Sequence, residues 1–363
     1  MSTTATLEPS RTDTHLTELN LEQRTAATFG ISTDERGGGS TPPLLIIAGA
    51  GSGKTKTLTH RVAHLVLNGA DPRRILLMTF ARRMAAEMTR RVEHICARAF
   101  QGRKTIPADA IEWSGTFHAV GAKLLRLHAE TIGLSPAFSI LDRSDAEDLM
   151  DLVRDELKLS VTRNRFPKKS TCLAIYSYAV NAQTPLRDTL MRVFPWCADW
   201  EKELTRLFAA YVEVKQAQDV LDYDDLLLYW AQMMRIPEVA QLVSRRFDHV
   251  LVDEYQDTNA LHASILLALR PDGAGLTVVG DDAQSIYSFR SASVRNILEF
   301  PSQFSPPAAT LKLEQNYRST ELILDACNRV IAHATEGYPK TLFSKRAGGG
   351  KPLIATVVTR QRR

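Results

Sequence analysis

Three short stretches of this chain hold residue types suited to chemistry on a phosphorylated ligand. The first is Ala48-Gly49-Ala50-Gly51-Ser52-Gly53-Lys54-Thr55, directly after the apolar run Leu44-Leu45-Ile46-Ile47. A strand feeding a Gly-rich turn that closes on Lys and Thr is the layout of a phosphate-binding P-loop. Gly49, Gly51 and Gly53 permit backbone angles that aim successive N–H groups at phosphate oxygens. Lys54 brings charge to the β and γ phosphates, and Thr55 offers a hydroxyl to Mg2+. From Thr57 onward the chain reads as a helix, with Leu58, Val62, Leu65 and Val66 on one face and its N-terminus towards the anion. Ala48 stands where the strict pattern has Gly. The expected ligand is a nucleoside triphosphate; an ordinary Gly-rich turn is the alternative.

The second stretch is His249-Val250-Leu251-Val252-Asp253-Glu254, an apolar strand ending in two acids. Ligands of open α/β sheets sit outside the carboxyl ends of strands. Asp253 is therefore expected near Thr55 and Mg2+. Glu254 is expected near the water that attacks the γ-phosphate, as base or water positioner. A solvated acidic turn is the competing reading, weakened by the P-loop upstream. The third stretch follows the strand Leu276–Gly280 and runs Asp281-Asp282-Ala283-Gln284-Ser285-Ile286-Tyr287-Ser288-Phe289-Arg290. Gln284 can hydrogen-bond the γ-phosphate or the attacking water. Tyr287 and Phe289 alternate and can serve as stacking platforms for bases, worth roughly 1–3 kcal/mol per base. By composition alone both aromatics read as core.

The elements that must hold these stretches are short β-like runs at 44–48, 75–79, 111–116, 249–253 and 276–280, with helical patterns between them. That alternation describes an α/β domain with a mostly parallel sheet. Residues 121–221 show helical spacing and no convincing strand, and read as a helical insertion. Residues 1–17 read as a disordered tail, and 34–43 as a Gly- and Pro-rich loop. A strand at 310–313 and a helix at 320–333 read as the start of another domain, followed by a Gly break at 347–350 and a strand-like run at 353–358.

The 363 residues are 44% hydrophobic and 24% charged, an ordinary globular balance, with a net charge of +4 that permits a polyanionic partner without demonstrating one. Cys96, Cys172, Cys197 and Cys327 lie far apart with no metal-ligand spacing. This argues against structural zinc or a disulfide framework and fits a reducing compartment. The polar N-terminus lacks a signal-peptide core, and no apolar run is long enough to span a bilayer. The expected location is cytoplasmic, with no membrane partner.

Taken together, these stretches resemble the UvrD/Rep/PcrA family of superfamily 1 DNA helicases, in order and over nearly the whole chain. Leu19-Asn20-Leu21-Glu22-Gln23 resembles the adenine-reading Q motif, and AGAGSGKT motif I. Residues 79–88 resemble motif Ia, Gly115-Thr116-Phe117-His118 motif Ib, and Asp222-Tyr223-Asp224-Asp225-Leu226 the acidic element before motif II. VDEYQDTN, GDDAQSIYSFRSA and LEQNYRST resemble motifs II, III and IV. Phe289 stands where many members carry Trp, and Ser291 where Gly is usual. Nothing resembles motif V or VI.

The resemblance implies a RecA-like P-loop fold, ATP and Mg2+ as cofactors, and single-stranded or partial duplex DNA as partner. It implies that Gln23 reads adenine, Tyr317 stacks on the base, and Arg318 acts as an arginine finger. Gln284 would sense the γ-phosphate and couple it to DNA, while Phe80, His118, Tyr287 and Phe289 face the strand. Arg82 and Arg83 would serve phosphate contacts, although charges on a helix face are more often simply solvated. The implied layout is a first motor domain at 18–120 and 222–308, a 1B-like insertion at 121–221, and an incomplete second motor domain at 309–363. Two functions follow as expectations. One is an ATP-dependent helicase or translocase moving 3′ to 5′. The other is an ATP- and DNA-binding remnant or split-motor subunit with little unwinding, completed by a protein partner. A P-loop ATPase without nucleic acid is the weakest reading.

Overall fold

The computed structural model describes residues 14–31, 41–100, 110–161, 166–346 and 348–356. Its strands are β1 (Leu44–Ala48), β2 (Ile75–Thr79), β3 (Trp113–Thr116), β4 (Ser139–Ile140) and β5 (Val220–Leu221), then β6 (His249–Val252), β7 (Leu276–Gly280), β8 (Ala309–Leu313), β9 (Gln315–Asn316) and β10 (Phe343–Ser344). Six of them form one parallel sheet in the order β3-β2-β6-β7-β1-β8. Strands of a parallel sheet are covered on both faces, which is why they read as unbroken apolar runs. Leu45, Ile47, Met78 and Val252 point into one core, whereas Leu44, Ile46, Leu77 and Leu251 point into the other.

Helices α1 (Leu21–Thr28), α2 (Lys54–Leu67) and α3 (Arg82–Ala99) cover the second face. Buried Arg61 on α2 spends its guanidinium on the carbonyls of Ala26 and Phe29 and on the Thr277 hydroxyl, fastening α1 and β7 to α2. The first face carries α4 (Phe117–Leu127), and the four-helix insertion follows it in the chain as α5 (Arg143–Glu156), α6 (Lys169–Ala182), α7 (Leu186–Val193) and α8 (Glu201–Ala217). That same face is completed by α9 (Tyr223–Met233), α10 (Pro237–Arg246), α11 (Ala260–Leu269) and α12 (Val294–Glu299). The insertion has its own core, from Ala146 to Tyr211. At its root Lys215 Nζ lies 2.7 Å from Asp222 and 2.6 Å from Asp225, all three buried, with the Tyr211 hydroxyl donating to Asp222.

Five expectations change. Ala309–Leu313 does not open a second sheet: it pairs with β1 in register from Leu44↔Ala309 to Ala48↔Leu313. A half-buried edge strand carries no local sign of which sheet it joins. The insertion does contain strand, because Ser139–Ile140 and Val220–Leu221 pair across its neck. Its separate core also starts later than residue 121, since Val120, Leu124, Leu125 and Phe138 belong to the core under the main sheet. Residues 14–17 are ordered: Leu16 and Leu19 pack with Ala27, and His15 stacks on His64 with ring centroids 5.2 Å apart. Residues 353–356 form no strand; the rest of that run, most of the 34–43 loop and Ala347 lie outside the described residues. The expected helix at 320–333 is α13 (Glu321–Ile331), started by Thr320.

Candidate nucleotide cleft and nucleic-acid face

The P-loop runs from buried β1 into α2, and its shape depends on two left-handed glycines, Gly51 (φ 76°) and Gly53 (φ 89°). A Cβ at Gly53 would come within 2.5 Å of Gln23 Nε2, and one at Gly51 within 2.6 Å of Arg318 Cβ. Only glycine fits this cradle. Ser52 folds its hydroxyl back onto the Gly49 carbonyl at 2.7 Å and so shapes the loop without facing the ligand.

Lys54 opens α2 with its side chain nearly buried. Its Nζ lies 2.9 Å from Glu254 Oε2, but off the line a hydrogen bond needs, and finds no hydrogen-bond partner among the described residues. An ammonium with unspent protons beside a Gly-rich turn fits the oxygens of a polyphosphate. Next to it the Thr55 hydroxyl donates to Asp253 Oδ2 at 3.4 Å. Burial, then the charge of Glu254, pushes the Asp253 carboxyl up to about 7. A hydroxyl and a carboxylate side by side form a hard-oxygen pair suited to Mg2+, which takes one or two protein ligands beside phosphate and water. Among the described residues no cluster of three or more His, Cys, Asp or Glu could hold a metal by itself.

Glu254 turns sharply out of β6 with left-handed backbone (φ 53°), a costly conformation for a non-glycine residue, of order 1–3 kcal/mol. Its N–H donates to Asp253 Oδ1 at 3.0 Å, and Gln256 Nε2 donates to its carboxylate at 2.8 Å. The Gln256 oxygen in turn accepts from the Asp281 N–H at 3.0 Å, joining the loop after β6 to the loop after β7. Gln284 then reaches the cleft with its amide donating to Asp281 Oδ2 at 2.5 Å.

The opposite wall comes from residues 315–318. Tyr317 N–H donates to the Gly51 carbonyl at 2.8 Å, and the Asn316 amide to that of Ala50. Asn20 caps α1 in a reciprocal box with Gln23, and its amide donates to the Tyr317 hydroxyl at 2.9 Å. The Gln23 side chain accepts from Asn20 N–H and donates to the Ser52 carbonyl at 2.9 Å. The result is an open cleft of about 630 Å³. Gln23, Ala50, Gly51, Gly53, Lys54, Thr55, Glu254, Gln284, Tyr317 and Arg318 line it, as do Glu18, Lys56, Met84 and Arg91. Ala48, Gly49, Ser52 and Asp253 stand behind this surface.

The aromatic residues leave the same sheet edge elsewhere. Phe80, at the end of β2, packs edge-on against His262 at 5.5 Å between ring centroids, and His118 meets the same ring at 6.3 Å. Burial, then the charge of Arg82, pushes His118 down to about 4, so it is neutral at physiological pH. Tyr287 and Phe289 face each other at 5.8 Å, and Phe289 is 67% exposed, so it is no core residue. Ser291 is left-handed (φ 62°), the conformation that glycine adopts at least cost, and its hydroxyl donates to the Tyr178 carbonyl of the insertion at 3.4 Å. Sequence reasoning passed over Tyr223, half-exposed and edge-on to His118 at 5.6 Å, because it reads as part of an acidic helix start. It also passed over Asn20, Gln256 and Asn316, each inside a quoted motif, and over Lys340, which no motif marks.

Fold and cleft define a RecA-like P-loop α/β domain, with the phosphate loop and the carboxylate pair at the carboxyl ends of parallel strands. Comparison with known proteins narrows the class. Residues 37–305 match the UvrD/REP helicase N-terminal domain, and the chain belongs to that family. It is similar to the ATP-dependent DNA helicase PcrA of Leuconostoc citreum, at 39% identity over 312 residues, and to that of Staphylococcus epidermidis, at 36% over 313. The helicase of the same name from Staphylococcus aureus is 35% identical over 320 residues. Each match covers 85% of this chain but only 39–40% of the relative, so the chain spans well under half the length of these proteins. No helix among the described residues is long and apolar enough to cross a membrane.

Proposed function

We propose that this chain binds ATP with Mg2+ in the P-loop cleft, hydrolyses it, and couples the cycle to 3′-to-5′ movement on single-stranded DNA. The carrying observation is the loop after β7. Gln284 lines the nucleotide cleft, and Tyr287 and Phe289, three and five residues on, stand exposed on the neighbouring surface. A shift of Gln284 with the terminal phosphate would move both rings.

In this reading Lys54 holds the β and γ phosphates, and Thr55 and Asp253 hold Mg2+, which neutralises charge developing on the phosphates. Glu254 positions or deprotonates the attacking water, and Arg318 stabilises charge on the transferring group. Gln23 and Tyr317 take the base. Phe80, His118, Tyr287 and Phe289 take the DNA, with Arg82 and Arg83 on its phosphates. Those two arginines occupy the first turn of α3, where no acid is present and where the helix dipole disfavours cations. A polyanion alongside removes that penalty.

A second reading, an ATP- and DNA-binding module with little turnover of its own and a protein partner, draws support from α13. There Ile323, Val330 and Ile331 are exposed together. Phosphate release with and without oligo-dT separates the two. DNA-stimulated turnover abolished by Lys54→Ala supports the motor; nucleotide binding with negligible turnover supports the module. No nucleotide binding defeats both.

A further inference from the structure

Lys340 lies 58 residues from its nearer acidic partner, on a strap (residues 338–342) that crosses the carboxyl ends of β7, β1 and β8. Tyr338 N–H donates to Asp282 Oδ2 at 3.1 Å, and the Tyr338 hydroxyl donates to the Ile297 carbonyl at 3.3 Å. Leu342 sits on the P-loop, since a Cβ at Gly49 would come within 2.5 Å of its Cδ2. Between these anchors Lys340 Nζ lies 2.8 Å from Asp281 Oδ1 and 2.5 Å from Asp282 Oδ1, and each of the three side chains is less than a tenth exposed.

Burial works against the ammonium, but its hydrogen bonds to Asp281 and Asp282 prevail and raise its pKa. Asp281 is the residue whose other oxygen accepts from Gln284 Nε2. Two adjacent buried carboxylates without a counter-ion would repel, and the loop carrying Gln284 would lose its fixed partner.

We propose that Lys340 is a positioning residue for Gln284: by clamping Asp281 it fixes the amide that meets the terminal phosphate, and so sets the preference for nucleoside triphosphate over diphosphate. This rests on the reading of the cleft as an ATP site. The strap then links the P-loop, the phosphate-sensing loop and the last strand of the sheet.

The test compares dissociation constants of the whole chain for Mg2+ with a non-hydrolysable ATP analogue and for Mg2+ with ADP. Lys340→Met is expected to weaken the analogue about tenfold, the scale of one hydrogen bond to a charged group, and ADP less than about twofold. Gln284→Ala should give the same pattern, and the double variant should be no worse than either single change. Asp282→Asn combined with Lys340→Met restores the local net charge of −1 and relieves the folding penalty. It should still fail to discriminate, because Asp281 Oδ1 then keeps only the Ala283 N–H, at 3.1 Å, and has lost the ammonium that fixes it against the strap. Recovery of discrimination in that variant, equal losses for both nucleotides, or additive effects of Lys340→Met and Gln284→Ala would overturn the proposal. A wild-type chain that binds neither nucleotide would instead overturn the ATP reading beneath it.

Discussion

A nucleotide entering the cleft must take apart the Lys54–Glu254 pair, so Glu254→Gln should separate binding from hydrolysis. At 2.9 Å two unit charges attract by about 1.4 kcal/mol in water and about 6 kcal/mol at an effective dielectric constant of 20. The Glu254 side chain is 32% exposed, so the low end applies, and about 1 kcal/mol is a fair working value. Releasing Lys54 from that pair corresponds to roughly fivefold tighter ATP. The substituted amide keeps an oxygen for Gln256, so the turn after β6 should persist. Loss of a general base costs about 10²–10⁴ in rate. The expected variant therefore binds Mg2+ and ATP about fivefold more tightly and turns over at least about a hundredfold more slowly. Titration calorimetry gives the affinity and a phosphate-release assay the rate. An affinity that falls together with the rate, or a rate that does not fall, would refute the reasoning.

Other outcomes follow from the same geometry. Phe289→Ala should weaken oligo-dT binding about 5- to 100-fold, as expected for one lost stacking platform, and leave ATP affinity unchanged; fluorescence anisotropy reads the first and calorimetry the second. Lys215→Met strands Asp222 and Asp225 in the interior and should cost about 3–5 kcal/mol of stability in a urea melt, while a neutral effect would mean the pair is dispensable. His118 sits near 4 in the fold against 6.5 unfolded, so its contribution to stability is present above pH 6.5 and is lost as pH falls towards 4. His118→Gln should accordingly flatten the fall of melting temperature over that window, and an unchanged slope would contradict its burial as a neutral ring.

The cleft was more legible in the sequence than the architecture around it. A Gly-rich turn before Lys54 and Thr55 and an acid pair at the end of an apolar strand are both local patterns, so sequence alone singled out Lys54, Thr55, Asp253 and Glu254, which the fold brings side by side. Five of the six sheet strands were visible, four of them (β1, β2, β6 and β7) as apolar runs because they are covered on both faces. β8 was not assigned to that sheet, because its half-buried residues leave the choice of sheet to tertiary pairing. The Lys340 contact was out of reach, since nothing near residue 340 signals a pair of acids whose nearer member is 58 residues away. Nor does composition reveal that Phe289 is exposed, because most phenylalanines are not. Tyr223 was hidden in plain view among aspartates. Its value appears only once His118 is seen beside it.

In the proposed function the P-loop cleft and the aromatic surface are two sites of one coupled device. Linkage requires that if nucleotide changes DNA affinity, DNA changes nucleotide affinity by the same factor. The most direct measurement is the affinity of this chain for oligo-dT with and without Mg2+ and a non-hydrolysable ATP analogue, paired with the reciprocal titration. Matching shifts of about fivefold or more in both directions, lost in Gln284→Ala with both ligands still bound, are the expected result. Two ligands that bind with no mutual effect would contradict it.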